Sequence, residues 1–227
     1  MTDAGENVKR MRLPQRIYHL AEAANLPSIR RHGLLSTTVL LDRAGLRGEQ
    51  RNRFEWCQRL EHRKLPNDVY VRDQRPLPEE ALRKCLFGMT PSQWYALINS
   101  KVFFWFDVDR LNRQRAACEP RPQVVLEVDT MRLVARHAAR IALSRINTGN
   151  ARRRPARRGR CTFVPYGMWV KSGWLSETKE LGTRSYERSQ APVELTVADA
   201  VMDIMDVVVG IHRLESGETF SHDDISS

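Results

Sequence analysis

Three side chains in the sequence have types that could perform chemistry together, although they lie far apart along the chain. His19 ends an apolar stretch that begins at Ile17, Arg72 follows Val71, and Glu194 lies between β-branched and apolar residues. A neutral imidazole can donate from one nitrogen and accept at the other, and a guanidinium binds phosphate through a bidentate fork. A carboxylate among apolar residues costs free energy unless it faces a cleft or a partner. The alternatives are a histidine satisfied by backbone, a surface arginine and a glutamate on the solvent face of a strand.

An ordered pattern surrounds His19. The sequence predicts a strand over 16–20 and a helix over 23–32, with Pro27 in its first turn and Gly33 as its stop. This order resembles the opening of the NAD-using ADP-ribosyltransferase fold, in which a strand histidine is followed by an Asn-x-x-x-Ile helix and a Gly-Leu pair. Asn25 and Ile29 occupy those helix positions here. The resemblance is closest to the DarT group of DNA ADP-ribosyltransferases and to uncharacterised bacterial relatives.

The resemblance implies an α+β fold, a split β-sandwich of two twisted, mainly antiparallel sheets with flanking helices. We expect one such domain over 15–214, with a flexible lead-in at 1–14 and a disordered acidic tail at 215–227. Strands interleaved with helices also favour a mixed α/β or α+β domain over a helical bundle. Further expected elements are a helical insertion at about 42–64, a basic loop at 150–160, a loop within 174–190 and a short helix over 198–205.

The resemblance also assigns roles to the three side chains. It implies that His19 hydrogen-bonds the 2′-hydroxyl of the adenosine ribose of NAD, that Glu194 is the essential carboxylate, and that Arg72 serves the pyrophosphate and the reaction centre. Arg75 and Arg51 are the substitutes for Arg72. Loss of nicotinamide develops positive charge on the ribose, which a carboxylate stabilises, and the same carboxylate could deprotonate the incoming nucleophile. NAD is therefore expected as substrate, and no metal is required.

Aromatic residues are candidates for contact with the cofactor. The apolar segment 102–106 predicts a central strand that sends Phe103 and Trp105 to one face. Packing is the first interpretation, and stacking on the nicotinamide is the second, with Tyr18 beside His19 as a further cofactor contact. No tyrosine follows in 107–113, which argues against the poly-ADP-ribose branch of the family.

Positive charge points to a polyanion as partner. The formal net charge is +10, and arginines concentrate at one place in the chain. We expect these to follow a phosphate backbone, with single-stranded DNA or RNA as partner and with Phe163 and Trp174 nearby for base stacking. The alternatives are compositional bias and a charged loop with no partner. The candidate nucleic-acid contacts are Arg152, Arg153, Arg154, Arg157, Arg158 and Arg160.

Cysteine spacing and hydropathy indicate the class of protein and its compartment. The four cysteines are dispersed, without a Cys-x-x-Cys pair, so neither a zinc site nor a disulfide framework is predicted. The N-terminal 16 residues lack an apolar signal segment, and about 18 consecutive apolar residues occur nowhere. We expect a cytoplasmic protein without a membrane partner.

Two classes of function remain open from the sequence. As an enzyme, the protein would transfer ADP-ribose from NAD to nucleic acid, with DNA favoured over RNA, as a toxin or phage-defence effector; a toxin would have an antitoxin protein as a further partner. As a binding module, the same fold would hold nucleic acid or a partner without chemistry. An NAD-using enzyme similar to RNA 2′-phosphotransferases is a related alternative.

Overall fold

The computed structural model describes residues 12–152, 155–184 and 189–221. Arg153 and Arg154, two of the predicted nucleic-acid contacts, lie outside these ranges, as do residues 1–11 of the predicted lead-in. The strands are β1 (Arg16–Glu22), β2 (Leu34–Leu35), β3 (Arg63–Lys64), β4 (Tyr70–Val71), β5 (Lys101–Trp105), β6 (Gln123–Asp129), β7 (Ile141–Ser144), β8 (Val164–Pro165), β9 (Glu194–Ala198), β10 (Ala200–Val201) and β11 (Val208–Leu214). The helices are α1 (Leu26–His32), α2 (Thr37–Arg43), α3 (Gly48–Glu55), α4 (Glu79–Cys85), α5 (Pro91–Asn99), α6 (Val108–Ala117), α7 (Thr130–His137), α8 (Tyr166–Ser172) and α9 (Leu175–Leu181).

A large antiparallel sheet organises the chain. Its strand order is β11-β6-β1-β5-β9-β7-β8, and every neighbouring pair is antiparallel. Two further two-stranded ladders pair β10 with β2 and β3 with β4. The predicted α+β class, with mainly antiparallel sheets and flanking helices, is therefore confirmed at this level.

The large sheet consists of two halves. Strand β1 pairs with β6 along its whole length, from Arg16 opposite Asp129 to Glu22 opposite Gln123. Strand β5 pairs with β9 along its whole length as well. Between β1 and β5 the described chain has one registered pair, Tyr18 opposite Trp105. The two halves are thus joined at a narrow junction and are free of cross-strand pairing on either side of it.

Both faces of the sheet are covered by apolar clusters. Ile17, Phe104, Leu126 and Leu195 belong to the cluster on one face, together with Ile29 of α1. The predicted alternation along β5 is confirmed, because Phe103 and Trp105 pack in clusters on the other face whereas Phe104 and Phe106 pack in the first. Covered faces explain why β5 is apolar from Val102 to Trp105.

Several helix ends follow from local signals that the sequence contains. Thr90 caps α5 in a reciprocal capping box with Gln93, and the Asp107 carboxylate accepts from the Arg110 N–H at the start of α6. Gly33 ends α1 with φ of 78°, and a Cβ there would collide with the backbone of Val201 and Met202. Glycine is therefore required both by the dihedral angle and by the close approach of β10.

Two predicted elements are wrong. The helix expected over 198–205 is replaced by β10 and a 3₁₀ turn at Ile204–Asp206, because Asp199, at φ of 62°, turns the chain so that β10 can pair with β2. The loop expected within 174–190 contains α9. Its Glu177 forms a fully buried ion pair with Arg145, Nε to Oε2 at 2.6 Å, which fixes this helix against the end of β7.

The insertion and the tail also differ from expectation. The segment at 42–64 contains the end of α2, a non-helical stretch at 44–47 and α3, which ends at Glu55, and it continues into β3. The first residues of the expected disordered tail are ordered, because the Phe220 ring is 2% exposed and lies 5.3 Å from the Tyr18 ring and 4.9 Å from the His212 ring. The prediction of disorder from residue 215 is therefore wrong as far as Phe220.

A side-chain clamp ties the insertion to the start of α1. The Asn25 Nδ2 donates to the Tyr70 carbonyl at 2.9 Å, and the Tyr70 N–H donates to the Asn25 Oδ1 at 2.8 Å. The amide thus pairs with the outer edge of β4 as a neighbouring strand would.

Candidate functional site

His19 lies at the junction between the two halves of the sheet. Its Nδ1 lies 2.7 Å from the Phe103 carbonyl on β5, so Nδ1 carries the proton and donates. Burial lowers the pKa of His19 to about 4, the charge of Arg72 adds to this effect, and the hydrogen bond to Phe103 opposes it. The ring is therefore neutral near pH 7, with Nε2 as a hydrogen-bond acceptor.

Glu194 begins β9 and is 2% exposed. Its Oε1 accepts from the Thr148 N–H at 3.1 Å and its Oε2 accepts from the Thr148 hydroxyl at 2.7 Å. Burial raises the pKa of Glu194 to about 7, and the two hydrogen bonds and the charges of Arg158 and Arg110 work in the opposite direction. Near neutral pH this carboxyl is a group that can both hold and release a proton, as general acid–base chemistry requires.

The strand register determines how His19 and Glu194 are related. Tyr18, Trp105 and Glu194 are consecutive partners across β1, β5 and β9, so their side chains share one face. His19 is the next residue after Tyr18 and points to the other face, where its ring lies 5.6 Å from the Phe104 ring. The backbones are about 10 Å apart, two strand spacings. His19 and Glu194, which the resemblance assigns to one bound NAD, therefore lie on opposite faces of the sheet.

Arg72, which the resemblance assigns to the pyrophosphate of NAD, contacts two side chains of the protein. Its Nε lies 3.4 Å from the Glu22 carboxylate and its terminal nitrogen donates to Gln123 at 2.7 Å. Glu22 also accepts from the Gln123 side chain and pairs with Arg121. Arg72 thus closes a buried network at the end of β1, near enough to His19 to affect its pKa.

The two substitutes for Arg72 are also engaged. Arg51 pairs with Glu55 at 2.7 Å and with Asp42, and Arg75 donates to the Leu60 carbonyl.

The predicted cofactor-stacking residues pack inside the protein. Tyr18 is 2% exposed, and burial and the Glu127 charge raise its pKa to about 12. The Trp105 indole donates to Gln114 at 2.6 Å, and Phe103 packs edge-on to Phe163. For Tyr18 and Trp105 the interpretation as stacking surfaces is wrong, because protein atoms enclose both rings.

The basic run divides into exposed and buried arginines. Arg152, Arg157 and Arg160 are exposed, as expected of a solvated loop, and the Arg157 guanidinium lies 4.5 Å from the Phe87 ring centroid. Arg158 is buried, with its guanidinium 5.8 Å from the Trp94 ring centroid, so its prediction as a nucleic-acid contact is wrong. The expected stacking residues Phe163 and Trp174 are buried as well.

A cationic cavity lies beside α1. Its volume is about 560 Å³, and its charged lining consists of Arg31, Arg43 and the Asp68 carboxylate, with His32 and Ser28 beside them. The Arg43 guanidinium donates to His32 Nδ1 at 3.1 Å, and local desolvation and the two arginine charges lower the pKa of His32. Because Ile29 of α1 packs in the same cluster as Phe104, this helix covers the face to which His19 points. An anion is the ligand that such a lining favours.

Thr148 and Arg158 are the polar residues around Glu194 whose importance the sequence did not reveal. From the sequence, Thr148 is recognised as part of a turn after β7, and Arg158 as one of many loop arginines. Their convergence depends on the pairing of β7 with β9, which sets Ser144 opposite Glu194 and brings the following turn over the carboxyl. A local pattern could not have shown it.

Neither a metal-ligand group nor a membrane-spanning helix is found in the described residues. Within 12–152, 155–184 and 189–221, no three or more His, Cys, Asp or Glu side chains are grouped as metal ligands. In the same ranges, no helix has the length and hydropathy needed to cross a membrane.

These features define an α+β protein with a divided antiparallel sheet and a buried ionisable carboxyl beside the division. The chain belongs to a family of unknown function (DUF7002), whose model matches residues 15–208. No curated protein and no solved structure matches the chain.

Proposed function

We propose that this protein is an NAD-dependent ADP-ribosyltransferase of the ADP-ribosyltransferase-like split-sheet type, with nucleic acid as acceptor and DNA favoured over RNA. The observation that carries the proposal is Glu194, a buried carboxyl with a pKa of about 7 one strand away from the junction between the sheet halves. The resemblance to the family pattern of histidine strand, helix and Gly-Leu pair adds to it through His19 and Gly33.

The chemistry assigns a separate task to each group. Ionised Glu194 would stabilise the positive charge that develops on the ribose as nicotinamide leaves, and would then accept the proton of the incoming nucleophile. The Nε2 atom of neutral His19 would accept a hydrogen bond from a ribose hydroxyl, while Nδ1 continues to donate to the Phe103 carbonyl. No metal enters these steps.

The phosphates of NAD would bind in the cationic cavity beside α1. Arg31 and Arg43 would take there the role that the resemblance implies for Arg72, since Arg72 is engaged with Glu22. This cavity is on the His19 side of the sheet and Glu194 is on the other face, so contact of one dinucleotide with both groups would require β1 and β5 to separate beside their single registered pair, Tyr18 and Trp105.

Release of nicotinamide tests the enzyme proposal. The protein is incubated with NAD and single-stranded DNA, and the same assay is run on Glu194→Gln, which keeps size and removes the charge. Glu127→Gln is the matched control, because Glu127 is a buried carboxylate in the same cross-strand row. We expect release by the wild type and by the control and a loss of at least a hundredfold in Glu194→Gln. Release that survives in Glu194→Gln would show that this carboxyl is not catalytic.

A second candidate is a nucleic-acid-binding module without chemistry. Two observations favour it: Glu194 is enclosed, with both oxygens bonded to Thr148, and His19 points to the opposite face. Exposed Arg152, Arg157 and Arg160 would then supply the binding. This candidate predicts binding of single-stranded DNA that weakens steeply with salt, together with no nicotinamide release.

A further inference from the structure

The geometry points to Thr148 and Arg158 as positioning residues for Glu194: Thr148 holds the carboxylate in its charged and oriented form, and Arg158 holds Thr148. The catalytic meaning of this arrangement rests on the proposed function. The arrangement itself does not, because it consists of contacts that can be measured without NAD.

Thr148 provides two donors from one residue. Its backbone N–H and its hydroxyl bond different oxygens of Glu194, at 3.1 Å and 2.7 Å. The Glu194 carboxylate cannot rotate without breaking both hydrogen bonds. Each of its oxygens still has a lone pair that can accept from a further donor. Donors to the charged form also favour ionisation, which burial alone would suppress.

The turn that presents Thr148 is internally bonded. The Ser144 hydroxyl donates to the Ile146 carbonyl at 3.1 Å, and the Ile146 N–H lies 3.2 Å from the same hydroxyl oxygen. Ser144 is the direct strand partner of Glu194. The donor residue and the acceptor residue are therefore fixed to the same pair of strands.

Arg158 braces this turn through the Thr148 carbonyl. Its terminal nitrogen donates to the Thr148 carbonyl at 3.1 Å and its Nε donates to the Ala156 carbonyl at 3.0 Å. The guanidinium lies against the Trp94 ring, which adds a cation–π contact. Its charge also favours ionised Glu194.

The backbone of Arg158 is fixed as firmly as its side chain. Its N–H donates to the Cys85 carbonyl at 2.8 Å, and its carbonyl accepts from Phe87 at 2.7 Å, in a short bridge to the end of α4. A Cβ at the following Gly159 would lie 2.6 Å from the Phe87 carbonyl oxygen, so this close approach requires glycine. An arginine in a basic run is thus built into the interior as a brace.

The test is the titration of the Glu194 carboxyl by carbon NMR of glutamate-labelled protein, with Glu194→Gln to assign the resonance. The charged groups that act on this carboxyl are Arg158 and, on α6, Arg110; its strand partners Trp105 and Ser144 carry no charge. We expect Thr148→Val to raise the midpoint by about one pH unit or more and Thr148→Ser to leave it near the wild-type value. Arg158→Met should raise it also, whereas Arg160→Met, the same change at an exposed site, should not.

An unchanged midpoint in Thr148→Val would overturn the inference. If Arg158→Met does not fold, the two Thr148 variants still decide the matter. Nicotinamide release gives a second readout: with a midpoint one unit higher, Thr148→Val should lose about fivefold in kcat at pH 7, keep its KM for NAD, and recover at pH 9. No release by the wild type would refute the proposed function, while the titration would still decide whether Thr148 and Arg158 position the carboxyl.

Discussion

Tyr18 and Trp105 face each other across the one registered pair that joins the two halves of the sheet in the described chain. Trp105 is also the direct partner of Glu194, so the pair links β1 to the strand that carries the buried carboxyl. Two ionisable groups beside this pair, His19 and Glu194, have pKa values displaced in opposite directions, and each displacement has a measurable effect on stability.

Replacement of Glu194 by glutamine should stabilise the protein at high pH. The folded-state pKa of about 7 exceeds the ordinary value of 4.5, so the folded state binds the proton more tightly and loses stability as pH rises through this window. Above pH 7, Glu194→Gln removes the cost of a buried charge, at most about 3 kcal/mol. Thermal unfolding should give a higher Tm for the variant at pH 8.5 and a similar Tm at pH 5. Equal differences at both values would contradict this.

Replacement of His19 should remove an acid-induced loss of stability. The folded-state pKa of about 4 lies below the ordinary 6.5, so the unfolded chain binds the proton more tightly and stability falls as pH drops from 6.5 to 4. The wild type should lose up to about 3 kcal/mol over this range by this route. In His19→Asn, whose amide can still donate to Phe103, urea unfolding at pH 7 and at pH 4.5 should show a smaller loss. A parallel loss in both proteins would assign the effect to other groups.

The Arg145–Glu177 pair should be costly to break. Both side chains are fully buried, and removing one partner leaves an uncompensated charge inside the protein. Glu177→Gln should lower the free energy of unfolding by about 3 kcal/mol or more, measured by urea denaturation. Glu79→Gln on α4 breaks an exposed pair with Arg83 and should change stability by less than about 1 kcal/mol. A similar loss in the free energy of unfolding for the two variants would mean that burial does not determine how much the Arg145–Glu177 pair contributes to stability.

Phe220 should stabilise the sheet although it lies near the C-terminus. Its ring packs against Tyr18 and His212, and its backbone exchanges two hydrogen bonds with the Asn112 side chain, at 2.8 and 2.9 Å. Phe220→Ala should cost about 3 kcal/mol, seen as a lower midpoint in chemical denaturation. Substitution of the exposed Glu218 by alanine is the control. A neutral effect of Phe220→Ala would show that the contact is absent in solution.

The elements that sequence analysis predicts well are those set by neighbours in the chain. The Thr90 and Asp107 caps and the Gly33 stop have their partners within a few residues, and the strands of the large sheet follow from apolar runs. The failures involve distant partners. Strand β10 exists because β2 lies beside it, and Arg158 is buried because Trp94 and Thr148 supply its environment. The sheet face on which His19 or Glu194 lies depends on the strand register across β5, which the sequence does not specify.

The Asn25 clamp has a consequence for the order of the insertion. The β3–β4 ladder has two residues on each strand, and a ladder of this size is marginal without further support. The Asn25 side chain gives such support, because its amide makes two hydrogen bonds to the Tyr70 backbone on the free edge of β4. Asn25 itself follows closely after β1 of the large sheet. The Asn25 side chain therefore adds to the support that the segment around β3 and β4 receives from the apolar cluster of Leu41, Leu65 and Val71. Asn25→Ala would lower the local stability of that segment while the large sheet remained intact.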